Sequence, residues 1–576
     1  RHISLEAVKT FRELGSPCAG HPEYDPPAGI ETTTGPLGQG IANALGMAIA
    51  EAHLKARFGE ALVDHRTWAF VGDGCLQEGV GQEVIQLAGH LKLGKLTFFW
   101  DDNAITDDGS TDLSISEDVA ERFRVAGWHV QAIDGHDVTA IDAAIIAAKA
   151  DPRPSMIACK TTIARGISRL EGQRGGHSGK LFPEDREGMA ARFGWNAGAF
   201  DIPDHIGAAW RATPAASQKA HAAWKERLAA SAQRAEFERV HAGVRKEGWR
   251  QALHAYKANA AVEGREEFSI SSSGAIAATL YDALPEIVTS CADLEAPTNH
   301  KRHLAAFDAR DRSGRYIHCG VREHAMGSLA NGMACHGGVI PLAVTYLPFS
   351  DYERPAIRMA ALMGVPSIFV FSHDSIGIGK NGPTHQPVEI IASLRAMPNL
   401  TVIRPCDAVE AAEAWEIAID NRSGPSALIF ARQSVPQLRR DAASENRTAR
   451  GAYVLCEATG GTRRITLLAT GSEVQIAVEA RQLLQATGLP TAVVSMPCWS
   501  LFEAQDRAYR DAVLGKGTVR VGVEAAVRFG WDRWIGEEGA FVGMKSFGAS
   551  GPADQLYRHF GITDEAVAAA ARACAR

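Results

Sequence analysis

Three stretches of this 576-residue chain combine residue types able to hold a metal and a phosphate. Gly72-Asp73-Gly74 is followed by Glu78-Gly79, and Asp101-Asp102-Asn103 stands thirty residues further on. If both segments end neighbouring strands of a parallel sheet, Asp73 and Asn103 converge, because the carboxyl ends of such strands point into one crevice. A carboxylate and an amide oxygen suit a hard cation such as Mg²⁺ or Ca²⁺, which in turn bridges to phosphate oxygens. The glycines flanking Asp73 admit a bulky diphosphate. Alone, Gly-Asp-Gly reads as an ordinary strand-to-turn sequence; the matching Asn103 reverses that balance. The third stretch, Glu31-Thr-Thr-Thr-Gly-Pro-Leu-Gly-Gln-Gly40, runs into a small-residue helix expected from Ile41 to about Lys55. Free N–H groups at its positive end form an anion site, with simple capping and close helix packing as the alternative reading.

These residues need a scaffold of parallel strands, and the pattern supplies one. Strands are expected at Trp68–Val71, Leu96–Trp100, Trp128–Ile133 and Ser155–Lys160, with helices at Glu78–Leu91 and Val138–Ala150. From about Pro203 to Gly264 the sequence turns Ala-, Lys-, Glu- and Arg-rich without β-branched clusters, which reads as a helical connector. A second α/β pattern follows, including helices from Ala275 and from Glu323 and strands at Val339–Val344 and Ser367–Phe371. A third begins near Gly451, with strands at Arg464–Ala469, Thr491–Met496 and Thr518–Val523. The fold class is α/β, with three doubly wound domains in series: residues 1–235, whose connector starts near 203, then 262–440, then 451–576.

Composition removes several function classes. Hydrophobic residues at 46% and charged residues at 22% describe a folded globular chain. With 60 Lys+Arg against 67 Asp+Glu the net charge is −7, so no basic field is available for nucleic acid. No apolar run approaches the roughly 20 residues needed to cross a bilayer, so no membrane partner is expected. The ten cysteines are scattered without a CxxC pair, the usage of reduced thiols in a cytoplasmic protein. The chain opens Arg1-His-Ile-Ser with no initiator Met, so an N-terminal segment is expected to be missing.

Taken together, Gly-His-Pro-Glu (20–23), the 31–40 loop, Gly-Asp-Gly-Cys-Leu-Gln-Glu-Gly (72–79), Gly-Val-Arg-Glu-His-Ala-Met (320–326), Gly-Pro-Thr-His-Gln-Pro-Val-Glu (382–389) and Ala-Thr-Gly-Ser-Glu-Val (469–474) resemble transketolase. The resemblance spans essentially the whole chain, in order. It implies a thiamine diphosphate enzyme, with two cofactor-binding-type domains, a C-terminal α/β domain, and active sites at the interface of a homodimer. The implied reaction moves a two-carbon ketol unit from a ketose (phosphate) to an aldose (phosphate), through a cofactor carbanion and a dihydroxyethyl adduct, in the pentose phosphate pathway. By the same resemblance Asp73, Asn103 and the Ile105 carbonyl hold Mg²⁺, with Ca²⁺ or Mn²⁺ as substitutes. Gly35, Leu37, Gly72, Glu78, Asp293 and Leu294 line the cofactor, Leu294 as the wedge that bends it and Glu78 as a link between the two sites. Tyr346, Phe349 and Tyr352 cup its pyrimidine ring. Glu323 is expected to hydrogen-bond that ring, favouring its imino form. His21, His177, His373 and His385 are the expected acid–base and substrate groups, work for which imidazole is suited. Asn381 and Arg432 complete the substrate set.

Three departures from the resemblance bear on substrate. The stretch Phe268-Ser-Ile-Ser-Ser-Ser-Gly274 lacks the Arg that normally binds substrate phosphate, and Thr298 alone stands near the place of a second, serine ligand. Asn381, in Gly379-Lys-Asn381, replaces an Asp that reads an acceptor hydroxyl, keeping a hydrogen bond but no charge. Losing a charge-assisted Arg contact weakens phosphate binding, and Arg165, Arg169 and Arg174 either compensate or form a solvated loop. The alternatives are therefore a paralogue with an altered, unphosphorylated donor or acceptor, and a non-catalytic homologue.

Overall fold

The computed structural model describes residues 3–441 and 445–575. The outermost residues of the first and third expected domains, 1–2 and 576, lie outside the described residues, and Arg1 is among them. The chain forms two compact units: residues up to 243 with 307–314 and 335–338, and the remainder from 244.

The first unit is built on four parallel strands, β1 (Thr67–Gly72), β2 (Leu96–Asp102), β3 (His129–Asp134) and β4 (Ser155–Lys160), in the order β1-β2-β4-β3. Helix Gln39–Phe58 is almost wholly buried, as its Ala, Gly, Ile and Leu content demands, and helix Gly79–Leu91 packs beside it. Gly89 and Gly94 admit close backbone contact, since a methyl at Gly89 would meet the Ala126 carbonyl oxygen at 1.8 Å. The expected connector is helical, with helices Asp204–Ala212, Pro214–Ala230, Arg234–His241 and Trp249–Glu263.

In the second unit six parallel strands run β10 (Thr401–Ile403), β11 (Ser426–Ile429), β9 (Ile368–Ser372), β8 (Ile340–Tyr346), β6 (Ile287–Cys291), β7 (Tyr316–His318). A two-residue ladder pairs β5 (Glu267–Phe268) with β12 (Ser434–Val435). The last sheet runs β13 (Tyr453–Cys456), β15 (Thr491–Ser495), β14 (Ile465–Ala469), β16 (Val519–Val527), β17 (Ala540–Met544). It is mixed, because the edge strand β13 runs antiparallel to β15. All ten cysteines are free. No helix among the described residues is long and apolar enough to cross a membrane.

One element departs from expectation by a full turn and more. The helix expected from Ala275 starts at Ser269. Serines favour caps over helix interiors because their hydroxyls compete for backbone groups, but here tertiary partners occupy them. Ser269 Oγ accepts from the Ala431 N–H (2.7 Å), Ser272 Oγ donates to Glu267 (2.5 Å), and Ser273 Oγ accepts from Trp415 Nε1 (3.0 Å). The short strands β6 and β7 escaped the reading altogether.

Candidate active site

The register of β1 against β2 pairs Gly72 with Asp101, so Asp73 and Asn103 leave adjacent strands at the same edge of the sheet. They line one cleft of about 960 Å³ with Leu37, Gly72, Glu78, Ile105 and His177. Seven residues expected at the site therefore meet although the sequence scatters them from 37 to 177. Glycines allow the convergence: a methyl at Gly74 would strike Leu37 Cδ1 at 2.9 Å, and one at Gly38 (φ 81°) would strike Val80 Cγ1 at 2.6 Å. His21 lies against the turn at Gly35, with ring carbons 3.5 Å from where a β-carbon there would stand.

Asp73 is 5% exposed. Its Oδ1 accepts from Trp100 Nε1 at 3.0 Å, while Oδ2 is buried without a hydrogen-bond partner among the described residues. Burial raises the carboxyl to about 6, against the Trp100 hydrogen bond, and Asp102 and Asp101 add to the rise. A buried anion with an idle oxygen costs free energy unless a cation meets it. The Asn103 amide is oriented by two bonds, Nδ2 donating to Asp101 Oδ2 (3.1 Å) and Oδ1 accepting from the Ile105 N–H (3.0 Å), across a turn at Ala104 (φ 58°). The donor set thus fits a hard divalent ion. Among the described residues no group of three or more His, Cys, Asp or Glu would hold a metal by itself, so the remaining ligands must come from elsewhere, as Mg²⁺ commonly arranges with phosphate and water.

A second cluster forms in the other unit, at the carboxyl ends of β8 and β9. Tyr346 pairs with Ser372 in the ladder, which sets His373 beside it with ring centroids 3.6 Å apart. Phe349 stacks on Tyr346 (5.4 Å), Tyr352 meets Phe349 edge-on (6.1 Å), and His385 stands 5.4 Å from Phe349 and 6.2 Å from His373. His373 is buried at φ 69°, with Nδ1 2.8 Å from Ser372 Oγ. Burial, with His385 and Arg432 adding, lowers it to about 3, so it is a neutral imidazole throughout the physiological range. Glu323 heads helix Glu323–His336 and is 7% exposed. After β6, Asp293 takes φ 61° and is exposed, while Leu294 packs against the core of the sheet. Asn381 is exposed at the end of the 376–381 turn.

Several contributors had no sequence signal. Trp100 on Asp73 is one, since an aromatic in a strand reads as core. Arg302 is another: its Nε donates to the Gly274 carbonyl (2.8 Å) and Nη2 to that of Ser271 (3.4 Å), while Arg432 lies over the Phe268 ring at 5.0 Å. The arginine-free stretch 268–274 is thus flanked by two guanidiniums. Of the loop arginines, Arg169 is paired with Asp185, and Arg174 donates to the Asp107 carbonyl (2.6 Å) on the wall of the first cleft. A buried network also backs His373. Asp374 Oδ2 accepts from Arg404 Nη2 (2.8 Å) and Ser472 Oγ (2.9 Å), and Arg404 Nη1 is 2.6 Å from Glu473 and 3.2 Å from Glu524.

Comparison with known proteins follows this architecture. Three family models match in order: the transketolase thiamine diphosphate binding domain over residues 2–249, the transketolase pyrimidine binding domain over 270–437, and the transketolase-like C-terminal domain over 451–563. A transketolase of Cereibacter sphaeroides is 48% identical over 571 residues, covering 99% of this chain and 86% of the relative. The structure of transketolase from Leishmania mexicana superposes with a TM-score of 0.93 at 40% identity, covering 100% of this chain and 85% of that one. That of Pichia stipitis transketolase in complex with sedoheptulose-7-phosphate gives 0.93 at 37% identity, covering 99% and 85%.

Proposed function

The chain belongs to the transketolase family and is a ketol-transferring enzyme with thiamine diphosphate-binding domains, and on that premise we propose how its residues divide the work. Thiamine diphosphate, when bound, supplies the carbanion chemistry that carries the two-carbon unit. Asp73, Asn103 and the Ile105 carbonyl would hold a divalent ion, Mg²⁺ by the hardness of the ligands, and Gly35, Leu37, Gly72 and Glu78 would line the place of the cofactor's diphosphate. The observation that carries this reading is the buried, unpartnered Oδ2 of Asp73, a residue that lines that cleft. Tyr346, Phe349 and Tyr352 receive the pyrimidine ring, Glu323 hydrogen-bonds it, and Asp293 and Leu294 shape the space between the cofactor's rings.

His21, His177, His373 and His385 bind the sugar and move its hydroxyl protons. Because His373 is held neutral, it enters the reaction able both to accept and to donate one hydrogen bond. Asn381 reads a hydroxyl of the acceptor. Arg432, with Arg302 beside the same stretch, supplies the positive charge for a substrate phosphate. Related structures solved with sedoheptulose-7-phosphate and fructose-6-phosphate support phosphorylated sugars as substrates.

The division of labour assigns residues 1–235 to diphosphate and metal, 262–440 to pyrimidine and activation, and 451–576 to support of the second. The proposed assembly is a cytoplasmic homodimer in which the first domain of one subunit faces the second domain of the other. Calorimetry with Mg²⁺ and thiamine diphosphate tests the cofactor site: binding is expected, and its absence would return the chain to a non-catalytic role. Donor cleavage of xylulose 5-phosphate against hydroxypyruvate tests the substrate. Saturation by the phosphorylated donor is expected; a clear preference for the unphosphorylated one would favour the second reading, motivated by the arginine-free 268–274 stretch.

A further inference from the structure

Helix Ser350–Met363, whose first turn carries Tyr352 of the aromatic pocket, also carries a residue with no role in the reading above. Glu353 is wholly buried, and neither carboxyl oxygen has a hydrogen-bond partner among the described residues. Its side chain crosses helix Glu323–His336 at Gly327, where a methyl would come within 2.6 Å of Glu353 Cγ and 2.7 Å of Oε1. Gly327 follows Glu323 by four residues, so the two lie on one face of that helix, one turn apart. The carboxyl of Glu353 is therefore set behind the carboxyl of Glu323, at a point where the facing helix has no side chain.

We infer that Glu353 is a positioning residue for Glu323: a buried carboxylic acid that keeps its proton at neutral pH and so leaves Glu323 as the single member of the pair that changes charge against the pyrimidine ring. This rests on the reading of Glu323 as the pyrimidine-facing group. The surroundings give Glu353 little reason to ionise. Facing it, helix Glu323–His336 presents Glu323, and the end of β7 presents the Cys319 thiol, with Arg322 beside it donating to the Cys319 carbonyl oxygen at 2.8 Å. On its own helix Arg354 is turned to Asp351 and Ser393. Burial first, and the Glu323 charge second, raise the Glu353 carboxyl well above the ordinary range. Two carboxyls so arranged titrate as a pair, the second proton leaving at higher pH than either would alone.

The test is infrared difference spectroscopy on the full chain without added thiamine diphosphate. The wild type is expected to show the carbonyl stretch of a buried neutral carboxylic acid at pH 7, and Glu353→Gln to lose it. A wild-type spectrum without that band, or a band untouched by Glu353→Gln, would overturn the inference. Should Glu353→Gln not fold, Glu323→Gln serves instead: with the neighbouring charge gone, the band must titrate away at lower pH, and an unmoved titration overturns the coupling. In the loaded enzyme Glu353→Gln is expected to remove the pair's second, alkaline titration from the kcat/KM profile, since only Glu323 is left to ionise. A purely structural role would lower the profile without moving it. Because the infrared measurement needs no cofactor, its failure is distinguishable from failure of thiamine diphosphate to bind.

Discussion

Replacing Asp73 by Asn should have opposite consequences with and without ligand. In the unliganded protein the folded carboxyl sits at about 6 against an ordinary 3.8, a rise of about two units, or about 3 kcal/mol at ~1.36 kcal/mol per unit. The sign follows from proton binding. Between those two values the folded state holds a proton that the unfolded chain has lost, so this group's contribution is fully present below pH 3.8 and is lost as pH rises through 6. Asparagine cannot ionise, so the gap in stability between variant and wild type should change by about 2.4 kcal/mol in favour of the variant from pH 4 to pH 8, the rest of the change falling below pH 4. The buried amide shifts the whole curve by roughly 1–3 kcal/mol for its unpaired N–H groups, without changing the slope. With Mg²⁺ and thiamine diphosphate the order reverses: wild type gains about 2.7 kcal/mol at a hundredfold excess over Kd, and the variant gains little. Hydrogen exchange of peptides covering 67–77 and 96–105, with and without ligand, reads the local stability directly. A pH-independent gap, or equal protection of Asp73→Asn by the ligands, would refute the reasoning. The wild type's apparent Mg²⁺ affinity should also fall about tenfold from pH 7 to pH 5, as the ionised fraction of a group near 6 does.

Glu323→Gln should lower kcat/KM by a hundredfold or more, the ~10²–10⁴ range of an acid–base contribution, with thiamine diphosphate still binding in calorimetry. Arg432→Ala removes a charge-assisted contact of about 1.5–3 kcal/mol, so KM for a phosphorylated donor should rise roughly 10- to 150-fold. The same variant should cleave hydroxypyruvate as wild type does, and an equal loss on both donors would put Arg432 elsewhere in the mechanism. Arg404→Met leaves Asp374, Glu473 and Glu524 buried without their shared cation, which should cost about 3–5 kcal/mol in urea unfolding; a smaller loss would mean water enters the network.

What the sequence revealed of the site follows from how local its geometry is. Asp73 and Asn103 were legible because each sits just past a strand end, and parallel pairing then dictates a common edge. Tyr346, Phe349 and Tyr352 occupy one short turn-and-helix start, so their mutual contact is nearly a local property. Their role, like that of His373 and His385, was legible only through the family resemblance; the eleven residues between the two histidines run largely through irregular 3-10 turns. Trp100, Arg302 and Glu353 gave no signal because each acts through a partner on another element. Nothing in Ser350-Asp-Tyr-Glu distinguishes a solvated helix-start carboxylate from one folded under a glycine of the neighbouring helix. The same limit explains the helix that began at Ser269: the serine hydroxyls are satisfied by Ala431, Glu267 and Trp415, none of which adjoins them in the helix.

The support role of the last sheet can be argued from one residue. His373 holds φ 69°, a left-handed conformation that costs a non-glycine residue about 1–3 kcal/mol unless its surroundings impose it. The next residue, Asp374, is what imposes it. Its Oδ1 accepts from Ser375 Oγ, its Oδ2 from Arg404 and from Ser472, and Arg404 is gripped in turn by Glu473 and Glu524. Glu473 follows β14 and Glu524 lies on β16, so the carboxylates come from the carboxyl-end region of the last sheet, and Tyr557 closes the group by donating to Glu473 at 2.6 Å. Arg395 adds a second guanidinium on Glu524 at 2.8 Å, giving two cations for three carboxylates, with hydroxyl and indole donors filling the remaining lone pairs. Such a network is costly to assemble and contributes little net stability compared with an apolar core, yet it is unforgiving of displacement. Its effect is to tie the position of the last sheet to the backbone at His373, which is the support that the proposed function assigns to residues 451–576.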